Sequence, residues 1–236
     1  MNPQRTTATL VGALFLTAMV ASLVGGGLVE SAIAAPYDLA AIAANDALLI
    51  AGILLEVVNA IAVLAIGVLL FPVLGATSAP MARGYLALRV VEAVFCAAII
   101  IGPMALMNLG GRQVEGGGVD PAAAGALGAL AMAARAGIVS LLIPVFFCLG
   151  ALVLYTAIYR SRLLPRFIAI WGLIAALLIL AMNLLSLGVT LDITLALLLA
   201  LPMILNEIFL GIWLIVKGFN LSAQGDERDK AATTAA

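Results

Sequence analysis

The chain has 236 residues, 65% of them hydrophobic and only 10% charged, and its mean hydropathy is +1.26. A soluble domain carries roughly 25% charged residues, so this composition cannot cover a water-facing surface and excludes a soluble protein. With 11 basic and 12 acidic residues, a formal net charge of -1 and no basic patch with interleaved aromatics, it also excludes nucleic acid as a partner and leaves the lipid bilayer.

Hydrocarbon offers the backbone no hydrogen-bond partners, and about 20 helical residues are needed to cross a core of roughly 30 Å. The expected fold is therefore all-α: a polytopic membrane helix bundle of about six transmembrane helices, forming a single domain over residues 1–219. The first span, 8–29, holds no charge. The run Ala32-Ile33-Ala34-Ala35 after it has the small residues of a signal cleavage site. Its apolar stretch exceeds the roughly 7 to 15 residues of a signal core, however, and Pro36 follows directly, so the span is expected to remain as an anchor.

The second span, 47–71, is interrupted only by Glu56, and the third, 84–109, contains Arg89 and Glu92. Gly110 to Gly118 then reads as an external loop kept mobile by glycine, a plain connection or a lid. Asp120-Pro121 reads as an N-cap and first helical residue, with no strong breaker until Pro144. One helix from Asp120 to Arg160 would be about 60 Å long, twice the hydrocarbon thickness, so it must overshoot, bend or break. The fourth span is expected over 136–159, with Ala122 to Arg135 as a helical extension outside the bilayer or in its interface and Gly137 as a bend. The fifth and sixth spans, 167–191 and 193–216, meet in a short turn near Gly188 to Asp192. Residues 220–236 are polar and read as a disordered cytoplasmic tail.

Orientation follows from lysine and arginine in the short loops. Six spans put Arg5, Arg83, Arg160, Arg162, Arg166, Lys217, Arg228 and Lys230 on one side. That side is expected to be cytoplasmic and to hold both termini. The other side carries Asp38, Asp46, Glu115, Asp120 and Asp192 against Arg112 and Arg135.

The chain has no histidine and two cysteines, Cys96 and Cys148, set far apart in apolar stretches. No metal site, cofactor or disulfide framework is suggested, and no catalytic constellation. The informative residues are ionisable groups within spans, because each costs about 2.5 to 3.5 kcal/mol at a helix centre on insertion scales and should face the bundle interior. Glu56 and Asn59 share a face of the second helix, as Arg89 and Glu92 do of the third. Asn206 and Glu207 lie on the sixth and Asn183 on the fifth. Counted from the cytoplasmic ends, Glu56 lies roughly 22 Å deep, Glu207 roughly 15 Å, and Arg89 and Glu92 roughly 8 to 12 Å.

Helix tilt and side-chain reach allow Glu56, Asn59, Arg89, Glu92, Asn206 and Glu207 to form one cluster, a candidate ligand- or ion-binding site. Such a cluster sets three carboxyls against one guanidinium, so a carboxyl should be protonated or a cation bound. The bland alternative is interhelical glue. Pro103, Pro144 and Pro202 interrupt spans, and Pro202 frees the Leu198 carbonyl one turn before Asn206. Trp171, Trp213, Tyr155 and Tyr159 read as interfacial anchors. The Arg160 to Arg166 turn is a topological signal and a candidate contact for anionic lipid.

Several segments, in this order and spacing, resemble a known family. They are Asn2-Pro3-Gln4-Arg5-Thr6-Thr7-Ala8, Glu56-Val57-Val58-Asn59, Gly84-Tyr85 with Arg89 and Glu92, and Tyr159-Arg160-Ser161-Arg162-Leu163-Leu164-Pro165-Arg166 leading to Trp171-Gly172. Glu207 with Gly211-Ile212-Trp213-Leu214 and Lys217-Gly218-Phe219 completes the set. Together they resemble the bacterial domain-of-unknown-function family 4386 over almost the whole chain. The resemblance implies an uncharacterised multi-pass protein of the bacterial inner membrane and brings no activity or catalytic residue with it. Binding or transport of a small ligand, cation or proton through the Glu/Arg/Asn cluster is the leading expectation. A structural or sensory membrane partner with no transported substrate is the alternative, and an intramembrane lipid-acting enzyme is disfavoured. Substrate, oligomeric state and protein partners are not legible.

Overall fold

The computed structural model describes residues 3–35, 37–117 and 120–220, and all regular structure there is helical. In chain order the helices are α1 (Pro3–Ala32), α2 (Leu39–Ala44), α3 (Asp46–Gly75), α4 (Ala79–Ala98), α5 (Ile101–Val114), α6 (Pro121–Gly137), α7 (Ile143–Ser161), α8 (Arg166–Leu185) and α9 (Ile193–Val216), with a π-turn at Ile138–Leu142 joining α6 to α7. Among the described residues, six helical stretches are long and apolar enough to cross a membrane: Pro3–Ala32, Asp46–Gly75, Ala79–Val114, Pro121–Ser161, Arg166–Leu185 and Thr194–Val216. These six candidate spans imply a lipid bilayer environment. Leu23, Leu54, Ile61, Val94, Ile101, Leu130 and Leu198 are among many large apolar side chains left exposed, which only hydrocarbon would solvate without cost.

Two compact units divide the chain. The first draws on the described parts of Met1–Leu16, Val63–Val91 and Pro144–Ala236, the second on Thr17–Ala62 and Glu92–Ile143. In the first unit, Val11 and Phe15 of α1, Ile66 and Leu70 of α3, Tyr85 of α4, Leu154 and Ile158 of α7, Ile168 of α8 and Leu210 of α9 share one buried core. There α1 meets α9 through glycines: a Cβ on Gly12 would stand 2.5 Å from the Gly211 carbonyl oxygen, and one on Gly211 would stand 3.1 Å from that of Gly12. Small residues let membrane helices gain dispersion contact by close backbone approach. Arg5 then caps α9, its Nη2 donating to the Ile215 and Val216 carbonyls at 2.8 Å each, a favourable place for a cation at the negative end of a helix.

In the second unit, Val29 and Ile33 near the end of α1, Ile42 of α2, Leu49 and Ile53 of α3, Leu106 of α5 and Ala124 of α6 form a separate core. Gly25 and Gly52 make the corresponding close crossing of α1 and α3, each Cβ position lying 3.0 to 3.1 Å from the other residue's carbonyl oxygen.

Two local features differ from the sequence reading. The segment read as a loop from Gly110 is helical as far as Val114. Gly110 is there for contact, because a Cβ on it would come within 2.9 Å of the Leu39 carbonyl of α2. Helix α2 itself escaped the sequence reading; it is one short turn and a half, capped by the Asp38 carboxylate accepting from Ala40 N at 3.0 Å. The stretch Ala122 to Arg135, expected as a helical extension outside the bilayer or in its interface, is helical. It packs on α5 and buries Ala124, Gly128 and Arg135, with the Gly128 Cα seated against Tyr37. The tail beyond Asn220 and Gly118 of the external segment lie outside the described residues.

Prolines account for the interruptions. Pro103 has no N–H for the Ile99 carbonyl, and the helix breaks between Ala98 and Ile101. Pro144 likewise cannot bond the Ser140 carbonyl, and the ladder widens just before it, Ile143 N donating to Ile138 O five residues back. The anticipated bend at Gly137 thus takes the form of a π-turn starting at the next residue. Asp120 caps α6 as expected, accepting from Ala122 N, with proline in the first turn.

Candidate functional site

The second unit contains a buried ion pair. Glu56 sits in the first half of α3 and Arg135 in the last turn of α6, and their side chains are 3% and 4% exposed. Arg135 Nη1 donates to Glu56 Oε2 at 3.0 Å, while Nη2 donates to Oε1, giving the two-pronged geometry that makes arginine the preferred carboxylate partner. Arg135 Nη1 also donates to the Ile99 carbonyl at 3.0 Å. That carbonyl is the one Pro103 deprives of its helical donor. One proline thus creates an orphan acceptor, and one guanidinium binds both the orphan and the carboxylate.

Irregular backbone therefore converges on a buried charge. The π-turn starts three residues after Arg135, and the break between α4 and α5 supplies Ile99. Asn59, one turn beyond Glu56, and Glu92 on α4 are buried in the same unit. Taking two charges out of water costs several kcal/mol each, which only good geometry and additional hydrogen bonds offset.

A second polar centre belongs to the first unit. Arg89 is buried on α4, its Nε donating to the Tyr85 hydroxyl at 2.9 Å. Its guanidinium carbon lies 5.7, 5.3 and 5.8 Å from the ring centroids of Phe15, Tyr85 and Phe147, within cation–π range of each. The Arg89 stem packs on Gly67 of α3, where a Cβ would fall 2.9 Å from that of Arg89. On α9, Asn206 is fully buried. Its Oδ1 accepts from the Tyr155 hydroxyl and its Nδ2 donates to the Ile168 carbonyl at 3.2 Å. Glu207 is half-buried and, with Arg89 and Tyr85, lies within electrostatic range of Tyr155. The Tyr155 ring can take this place because Gly172 of α8 has no side chain to obstruct it.

The sequence-derived candidates thus fall in two units: Glu56, Asn59 and Glu92 in one, Arg89, Asn206 and Glu207 in the other. The count of three carboxyls to one guanidinium changes, because Arg135, taken from the sequence as an external loop charge, is buried and pairs with Glu56. Tyr155, read as an interfacial anchor, is a buried hydrogen-bond donor. One sequence signal could have found Arg135: it is the only charged residue between Asp120 and Arg160. Asn183 bonds back to its own helix, donating to Ile179 O at 2.8 Å. Trp171 and Trp213 join Phe167 and Phe209 in an aromatic row along α8 and α9, with centroids 5.7 to 6.3 Å apart.

No curated protein and no solved structure matches the chain. The family model described as Domain of unknown function (DUF4386) matches residues 10–218. That match takes in α2 to α9 whole and all but the first residues of α1, together with both polar centres, and the chain belongs to this family.

Proposed function

We propose that this protein binds or transports a proton, a cation or a small polar ligand, and that the Glu56–Arg135 pair is the exchangeable charge on which it acts. The observation carrying this reading is the guanidinium that holds both the Glu56 carboxylate and the carbonyl orphaned by Pro103. Ionisable residues within membrane spans mark ion and substrate paths by default, and π-turns and broken helices recur beside such sites. A proton or cation reaching Glu56, or an anionic group reaching Arg135, would replace one partner by another, and the two backbone irregularities would accommodate the change. Asn59 and Glu92 would supply further polar contacts in this unit, with Arg89, Asn206 and Glu207 as the charged and polar centre of the other.

The basic residues of the short connections favour an orientation with both termini cytoplasmic and, with the family resemblance, location in a bacterial inner membrane. The bundle would be a single transmembrane domain followed by a polar tail. Reporter fusions at the C-terminus that fluoresce only in the cytoplasm would test the orientation.

The functional test is flux. Purified protein is reconstituted in vesicles enclosing a pH-sensitive dye, with a potassium gradient and valinomycin as driving force. Proton entry in the wild type, lost in Glu56→Gln and regained in Glu56→Asp, is the expected result. Flux unchanged in a folded Glu56→Gln protein would overturn the assignment to Glu56. A structural reading is favoured by one observation, that the two side chains already satisfy each other. It predicts that the wild type has no flux to lose.

A further inference from the structure

A groove of about 510 Å³ lies in the first unit, where the turn from α7 to α8 meets the end of α9. We propose that it binds the phosphate headgroup of an anionic phospholipid. Arg162, Arg166 and Lys217 line it, and among the described residues no lining residue is acidic. All three cations are exposed, and they come from two separate chain segments that the fold brings together. The groove is built rather than incidental. Leu163 and Leu164 are 1% exposed beneath it, and the turn is tied to the end of α9 by Asn220 N donating to Leu163 O at 2.8 Å.

Two residues in this region take the left-handed backbone, Arg162 at φ 53° and Gly218 at φ 75°. At Arg162 that conformation is unfavourable for a side chain larger than glycine, asparagine or aspartate. It is retained at a position whose guanidinium joins the cationic rim. Arg166 lies over the Tyr159 ring, 5.1 Å from its centroid, which limits where its charge can go.

The choice of a lipid over a free anion follows from the other wall. Trp213 and Phe219 line the same groove, and Trp213 continues the aromatic row of α8 and α9. Tryptophan and tyrosine at span ends sit at headgroup level, so the groove offers cations to a phosphate and apolar surface to the glycerol and upper acyl chain. Basic residues near a membrane surface attract anionic lipid additively. This site is separate from the Glu56–Arg135 pair and does not depend on the reading of that pair.

The chain has two tryptophans, so Trp171→Phe leaves Trp213 as the single reporter. Full-length protein carrying that change is placed in phosphatidylcholine bilayers containing either brominated phosphatidylglycerol or brominated phosphatidylcholine at equal fraction. Quenching of Trp213 should favour phosphatidylglycerol. The combined Arg162→Gln, Arg166→Gln and Lys217→Gln variant should lower the relative affinity on the order of a hundredfold while its circular dichroism and elution stay unchanged. Should that variant not fold, the single Lys217→Gln change, which lies outside the turn, should still lower the preference about fivefold. Equal quenching by the two lipids would overturn the proposal. So would loss of the preference on adding millimolar inorganic phosphate, which would indicate a free-anion site. A preference that emerges only after Asp226→Asn, Glu227→Gln and Asp229→Asn would also overturn it, by showing that the chain's own acidic residues fill the groove.

Discussion

Neutralising Glu56 while keeping its shape is the most revealing perturbation of stability. Glu56→Gln leaves Arg135 buried without a counter-charge, with only the introduced amide oxygen and the Ile99 carbonyl at 3.0 Å as neutral acceptors. Breaking a buried pair from one side costs about 3 to 5 kcal/mol, most of it the penalty of the charge left behind. Arg135→Met removes the other side, and the Ile99 carbonyl also loses a donor worth about 1 kcal/mol, so its cost should be similar or slightly larger. The double variant Glu56→Gln, Arg135→Met buries no charge and should lose only about 1 to 2 kcal/mol. The cycle should therefore give a coupling of at least about 4 kcal/mol, several times the average membrane hydrogen bond of about 0.6 kcal/mol. Reversible unfolding by increasing mole fraction of a denaturing detergent in mixed micelles measures each corner. Additive single costs, or a double variant less stable than both singles, would refute the reasoning.

Three further outcomes follow from the geometry. Gly172→Ala would drive a methyl into the Tyr155 ring; it should destabilise the protein by about 1 to 3 kcal/mol, visible as a lower unfolding midpoint and altered tyrosine circular dichroism. Pro103→Ala restores an N–H for the Ile99 carbonyl, so the break between α4 and α5 should shorten and the coupling of Arg135 to this segment should fall. Hydrogen exchange at Ile101 to Met104 in wild type and variant would check this, equal exchange counting against it. At the start of α9, the Thr194 backbone N–H, joined by its hydroxyl, holds the Asp192 carboxyl below the usual carboxylate range. The folded value is the lower one, so this cap contributes fully above the ordinary carboxylate pKa and is lost as pH falls through the lowered value. Acid fraying of the first turn of α9, followed by amide exchange, should be present in the wild type and absent in Asp192→Ala.

Composition and helical period made the spans legible, because hydrocarbon leaves so few alternatives for the backbone. Asp120 and Pro121 marked the start of α6 by local chemistry alone. The partner of Glu56 was not legible. Arg135 lies 79 positions away, near the end of an alanine- and glycine-rich helix whose small residues serve close packing, as Gly128 does against Tyr37. Charge counting assigned Arg135 to a loop because the rule for loop charges treats any basic residue near a span end as exposed. Pro103 was recognisable as an interruption, and the Ile99 carbonyl it orphans follows from the four-residue helical spacing. Which donor would answer it depended on tertiary packing. Gly110 was misread for the same reason, since glycine signals either freedom or close approach and only the neighbouring α2 decides between them.

Exchanging the two charges separates function from packing most directly. In Glu56→Arg, Arg135→Glu the ion pair can re-form with its polarity reversed, so fold and stability should recover relative to either single reversal. The account predicts that this folded protein, in dye-loaded vesicles under an imposed potential, conducts no protons where the wild type does. Wild-type flux through the reversed pair would contradict it, showing that the pair only holds the helices together.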